Sequence, residues 1–121
     1  MKFAKWVFRI AGIYGVVVLL PFYFLENNPM AIPLPAMTHP EYYYGFVGLG
    51  LAWQVAFLII SSDPVKYRLL MIPSMVEKFS FVIAVALLIS SGRVGTYIVP
   101  GASLDALLGL LFLVSFFKTK N

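Results

Sequence analysis

Residues 62–93 read SDPVKYRLLMIPSMVEKFSFVIAVALLISSGR. The stretch predicts one long helix through a membrane. Asp63 stands as its cap with Pro64 behind it, Lys66, Tyr67 and Arg68 mark an interface, and Ser90-Ser91-Gly92 close it. Pro73 removes one backbone donor and predicts a kink about one turn before Glu77. Glu77 and Lys78 then stand where hydrocarbon is expected, and charges at that depth are costly.

The rest of the chain repeats the pattern. Hydrophobic residues make up 61% of the 121 residues and charged residues 12%, about half the usual charged share of a soluble protein. Apolar runs of about 18 or more residues mark spanning helices, and four of them, at about 4–24, 41–61, 64–91 and 101–117, fill a single domain, 1–121. The first run has a basic start, Lys2, Lys5 and Arg9, and could be taken for a signal peptide. It is followed by Pro21-Phe22-Tyr23-Phe24 where a small-x-small cleavage pattern is needed, so a retained helix is expected. Ala4, Ala11 and Gly15 lie on one of its stripes, suited to close packing. Residues 25–40 form a Pro-rich connection; Pro29, Pro33, Pro35 and Pro40 forbid a continuous helix, and apolar Met30, Ile32, Leu34 and Met37 suit a segment folded over the bundle mouth. Thr38 and Glu41 fit a capping box for the second helix, Tyr42-Tyr43-Tyr44 an aromatic belt, and Gly45, Gly48, Ala52 and Ala56 a packing ridge opposite Gly50 and Gln54. The fourth helix is expected to start between Pro100 and Ser103, with Asp105 in its first turn, where a negative charge suits the helix dipole.

Net charge is +4, but the basic residues sit at the ends of apolar runs and form no nucleic-acid face. Lys2, Lys5, Arg9, Lys66, Arg68, Lys118 and Lys120 fall on one side of the inferred topology, and only Arg93 on the other. The positive-inside rule then predicts an all-α, up-down-up-down four-helix bundle with both termini in the cytoplasm. The chain has no Cys and one His, His39. This excludes thiol chemistry, Cys-ligated metals and a bis-His haem within one chain. No metal-ligand spacing, nucleophile–base pair or phosphate loop appears.

The residues that carry chemistry are polar groups at membrane depth. With hydrocarbon starting at Leu69, Glu77 lies about 12 Å deep at 1.5 Å per residue. Gln54 lies at a similar depth, as does Tyr14, and Arg9 reaches toward them. Ser74 and Ser80 flank Glu77 on its own helix. Glu77 and Lys78 are sequence neighbours pointing about 100° apart, a poor pair. Arg9 is the expected cation for Glu77. With Asp105 at the other end of the bundle, Lys78 has no acid, and the layer holds two cations against one carboxylate.

Three readings stay open. In the first, Arg9 and Glu77 form a structural ion pair satisfied by Gln54 and Tyr14, and Lys78 snorkels to the cytoplasmic headgroups. In the second, Arg9, Tyr14, Gln54, Ser74, Glu77, Lys78 and Ser80 line a pocket for an amphipathic molecule such as a quinone, a lipid headgroup or an acidic metabolite, the spare positive charge favouring an anion. In the third, Glu77 carries a proton. His39, Trp6 and the tyrosine belt are expected to be loop and interface residues.

The segments RIAGIYGVVVLLP, HPEYYYGFVGLGLAWQVAFLI and DPVKYRLLMIPSMVEKFSF, with a final apolar run, resemble small bacterial membrane proteins of the DoxX-like superfamily. The resemblance covers nearly the whole chain in helix order. It implies a four-helix inner-membrane protein, associated with quinone-linked sulfur oxidation or an accessory role in a membrane redox complex. No catalytic residue of that family maps onto a position here. The expected function is therefore an accessory subunit or a binder of a quinone, lipid or other amphipathic molecule, in contact with membrane lipid and with a homo-oligomer or larger complex as possible partner. The alternatives are a membrane enzyme with Glu77 as catalytic acid or base, and a small proton-coupled transporter.

Overall fold

The computed structural model describes residues 2–24 and 39–119, and these are helical except for short connections. Four α-helices follow in order: α1 (Lys2–Leu19), α2 (Pro40–Ser62), α3 (Met71–Ser90) and α4 (Val99–Lys118). Together with their flanking turns, each supplies a stretch of 23 residues long and apolar enough to cross a membrane. At 1.5 Å per residue that is about 35 Å, more than the hydrocarbon thickness of about 30 Å. The chain thus has the pattern of a multi-pass membrane protein.

Proline placement explains several helix ends. α1 tightens into a 3₁₀ turn over Leu20–Phe24, because Pro21 has no N–H to continue the α-helical ladder. α2 has Pro40 in its first turn and His39 as cap residue, with no side-chain cap bond. Thr38 of the expected capping box lies outside the described residues. So does nearly all of the Pro-rich connection, with Met30, Ile32, Leu34 and Met37.

The single helix expected through residues 62–93 is interrupted. Asp63 makes the bonds of a helix cap, its Oδ1 accepting the Lys66 N–H at 3.2 Å and its carbonyl that of Tyr67, but the turn they close is not part of α3. A 3₁₀ turn follows at Arg68–Leu70, and α3 begins only at Met71. Pro73 therefore sits in the first turn of α3, where backbone N–H groups have no helical partner to lose, and the predicted mid-helix kink has no basis. α4 begins earlier than expected, at Val99 after a 3₁₀ turn over Thr96–Ile98.

α1 packs extensively on α2 and on α4, and α3 packs on α4, whereas α2 and α3 make few contacts. Small residues govern the first interface. Gly12 and Gly15 are buried; a Cβ on Gly15 would lie 1.9 Å from Gln54 Oε1, and one on Gly12 would lie 2.9 Å from the Gln54 carbonyl oxygen. The expected stripe residues Ala4 and Ala11 are buried beside them. Gln54 and Gly50 thus form the packed face of α2. Gly45 and Ala52 of the expected ridge are exposed, and Gly48 and Ala56 half-buried.

The core is aromatic and lies at one end. Phe8 stacks on Phe112 with ring centroids 4.2 Å apart, and Phe57 meets Phe112 edge-on at 4.9 Å. Met71, Ile60, Leu108, Ala4 and Ala11 complete it. At this end Arg68 Nε donates to the Phe116 carbonyl at 3.0 Å, its guanidinium lies 3.7 Å from the Phe116 ring centre, and Lys118 lies over Phe3. At the opposite end Tyr43 donates its hydroxyl to the Phe22 carbonyl, and Tyr23 stacks on Tyr44. Among the described residues no comparable core joins α2 to α3 in that opposite half.

Candidate functional site

The site begins with a close approach of α3 to α4. Gly109 is buried in α4; a Cβ there would lie 2.8 Å from the Phe79 ring and 3.3 Å from Lys78 Cβ. Its bare backbone lets the base of Lys78 rest directly on α4. One turn away on the same face stands Asp105. Lys78 is 6% exposed. Its Nζ lies 3.4 Å from Asp105 Oδ1 and 3.4 Å from Glu77 Oε1. The ammonium also lies 5.3 Å from the Phe57 ring centre, within reach of a cation–π attraction.

This geometry corrects the expected pairing. Lys78 does not snorkel; it is buried between two carboxylates. It also pairs with Glu77, because a four-carbon stem swings the ammonium across the 100° between neighbouring side chains. Asp105 is the acid that Lys78 was expected to lack. The earlier start of α4 moves Asp105 from the first helical turn into the second, about 9 Å in from Val99. Arg9 forms no ion pair among the described residues; its guanidinium lies 5.4 Å from the Trp6 ring centre. The layer therefore holds one cation against two carboxylates, the reverse of the expected balance.

Beside the triad the few α2–α3 contacts leave a lateral cleft of about 740 Å³. Its α2 wall carries Tyr42, Phe46, Leu49 and Trp53, its α3 wall Phe81 and Ala84. Glu77, Ser80 and Asp105 supply polar surface from α3 and α4, and Glu41 supplies it at the start of α2. Among the described residues no Lys or Arg lines it; Lys78 is packed behind the two acids. Two smaller grooves, one along α1 and α4 and one along α3 and α4, are lined by apolar side chains apart from Lys2 and Ser80.

The sequence-derived candidates divide between these features. Glu77 and Ser80 line the cleft, with the Ser80 hydroxyl donating to the Glu77 carbonyl at 3.3 Å. Lys78 anchors the triad. Ser74 is buried and donates to the Leu70 carbonyl at 2.7 Å, a bond within its own helix. Gln54 is buried in the α1–α2 interface, where its Nε2 donates to the Gly50 carbonyl at 2.8 Å and its Oε1 has no hydrogen-bond partner among the described residues. Tyr14 is exposed on α1. Gly45 of the expected packing ridge lines the cleft.

Sequence reasoning missed Asp105, Gly109 and the α2–α3 opening. Asp105 and Gly109 stand four residues apart, a spacing that marks one face of α4 and was available as a signal. The cleft had none, because its walls read as ordinary apolar helix faces. Among the described residues no group of three or more His, Asp or Glu is arranged to hold a metal ion. No family model, no curated protein and no solved structure matches this chain.

Proposed function

We propose that this protein is a multi-pass membrane protein, an accessory or ligand-binding subunit, that holds an amphipathic molecule in the cleft between α2 and α3. A quinone, a lipid or another amphiphile would lay its apolar part between Phe46, Trp53 and Phe81 and turn its polar part to Glu77 and Asp105. The observation that carries this reading is the cleft itself: apolar aromatic walls with convergent polar groups are the usual form of a small-molecule site. The acidic metabolite weighed from sequence loses its basis, because the spare charge beside the cleft is negative. Glu77 as an acid–base catalyst is the weaker reading, since Lys78 already engages its carboxylate.

The proposal includes the orientation that the basic residues favour, with both termini cytoplasmic and adjacent helices antiparallel in a bacterial inner membrane. The DoxX-like resemblance in helix order is consistent with an accessory role, and it supplies no site residues. Photo-crosslinking tests the reading: a membrane-partitioned amphiphile bearing a diazirine should label Phe46, Trp53 or Phe81 above the other apolar helix faces. Uniform labelling of all outward faces would count against a site.

A further inference from the structure

We infer that the occupant of the α2–α3 cleft is a lipophilic organic cation, an amine or quaternary ammonium amphiphile without a phosphate. The inference rests on the reading of the cleft as a binding site and deepens it by assigning the sign of the ligand's charge.

Charge complementarity selects the sign of the occupant. Every charged side chain that lines the cleft among the described residues is a carboxylate: Glu41, Glu77 and Asp105. Lys78, the one cation paired with Glu77 and Asp105 among the described residues, is 6% exposed and faces both from behind, 3.4 Å from each, while Glu41 has only the His39 imidazole, 3.5 Å away. Ionised, the Glu77–Lys78–Asp105 group carries one negative charge in excess, set in apolar surroundings where an unpaired charge is costly. A bound cation would cancel that excess. Phe46, Trp53, Tyr42 and Phe81 on the walls supply aromatic surface for an onium group or its apolar substituents.

The same lining argues against other amphiphiles. A glycerophospholipid would bring its phosphate against the carboxylates. A quinone needs hydrogen-bond donors for its carbonyls; ionised Glu77 and Asp105 only accept, which leaves that role to Ser80, Tyr42 and Trp53 and gives the acidic pair no part in holding a quinone. Tryptophan occurs only at positions 6 and 53, so a Trp6→Phe background isolates Trp53, which lines the cleft, as a reporter.

The experiment compares two ions of nearly the same shape and opposite charge, tetraphenylphosphonium and tetraphenylborate, on the full chain in nanodiscs. The readout is the saturable change in Trp53 emission. Tetraphenylphosphonium should saturate and tetraphenylborate should show only linear partitioning. Glu77→Gln and Asp105→Asn should each weaken phosphonium binding about tenfold or more. The comparison of the two ions needs neither substitution, so a variant that fails to fold leaves the test intact. Equal saturable binding of both ions, or a preference for the borate, would overturn the charge assignment and leave the binding site standing. Saturation by decylubiquinone alone would do the same. If none of the three saturates, the binding reading falls with the inference.

Discussion

Lys78 Nζ and Asp105 Oδ1, 3.4 Å apart, tie α3 to α4 inside a bundle whose outer faces carry Val76, Ile83, Leu107 and Leu110. Glu77, at the same distance from the ammonium, makes the tie a triad. Its members are unequal: Lys78 is packed away, while both acids reach the cleft surface. One arrangement thus fastens two helices and gives the neighbouring cavity its sign.

Lys78→Met should be strongly destabilising, because it leaves two carboxylates without a counter-ion. Losing one partner of a buried ion pair costs about 3–5 kcal/mol. The triple variant Lys78→Met, Glu77→Gln, Asp105→Asn should recover most of the loss, since no unpaired charge remains. Thermal unfolding in detergent checks both. Equal stability of wild type and Lys78→Met would mean that the ammonium does not hold the helices together.

The α1–α2 contact predicts a non-additive pair. Gly15→Ala places a methyl group 1.9 Å from Gln54 Oε1, and overpacking of this kind costs about 1–3 kcal/mol. Gln54→Ala vacates the space, so the double variant should be more stable than the sum of the two single effects implies. Gly45→Ala, with nothing within 4 Å of the new carbon, should change the melting temperature little. Additivity of Gly15→Ala and Gln54→Ala would show that the two residues do not share a contact.

Gly109→Ala should part α3 from α4. Phe79 and the base of Lys78 would both have to give way. The expected result is a lowered melting temperature, partly restored by Phe79→Leu, which removes the ring atoms nearest the added carbon. No recovery in the double variant would place the strain elsewhere.

The absence of cysteine makes the orientation directly testable. Single cysteines at Lys66, Arg93 and Lys118 have no native thiol to compete with them. A membrane-impermeant maleimide added to intact spheroplasts should label position 93, with 66 and 118 labelled only after lysis. The opposite pattern would reverse the inferred orientation.

The four helices were legible because hydropathy and chain length alone force them, and Pro21, Pro40 and Pro64 mark places where α-helical bonding stops or starts. The ion pairing was not legible. Depth counted from an assumed helix start put Asp105 at the wrong end, and the true start at Val99 shifts it by a turn. Arg9 looked like the partner of Glu77 because sequence supplies depth without azimuth, and the azimuth is set by Gly12 and Gly15 packing on Gln54 and by Gly109 packing on Phe79. Glycine spacing held that information, but Gly109 stands in an apolar run that reads equally well as a uniform lipid-facing surface. The cleft follows from which helices fail to pack, and pairwise packing is not written in any one helix.

Native mass spectrometry of the protein drawn from its own membrane in mild detergent tests the cleft most directly. It compares wild type with Ala84→Trp, which fills the cleft from the α3 wall without altering a charge. The expected result is a retained small molecule in fixed stoichiometry on the wild type and its loss from the variant. Equal retention by both would place the bound molecule outside the cleft, and a wild type that carries nothing would contradict the binding role.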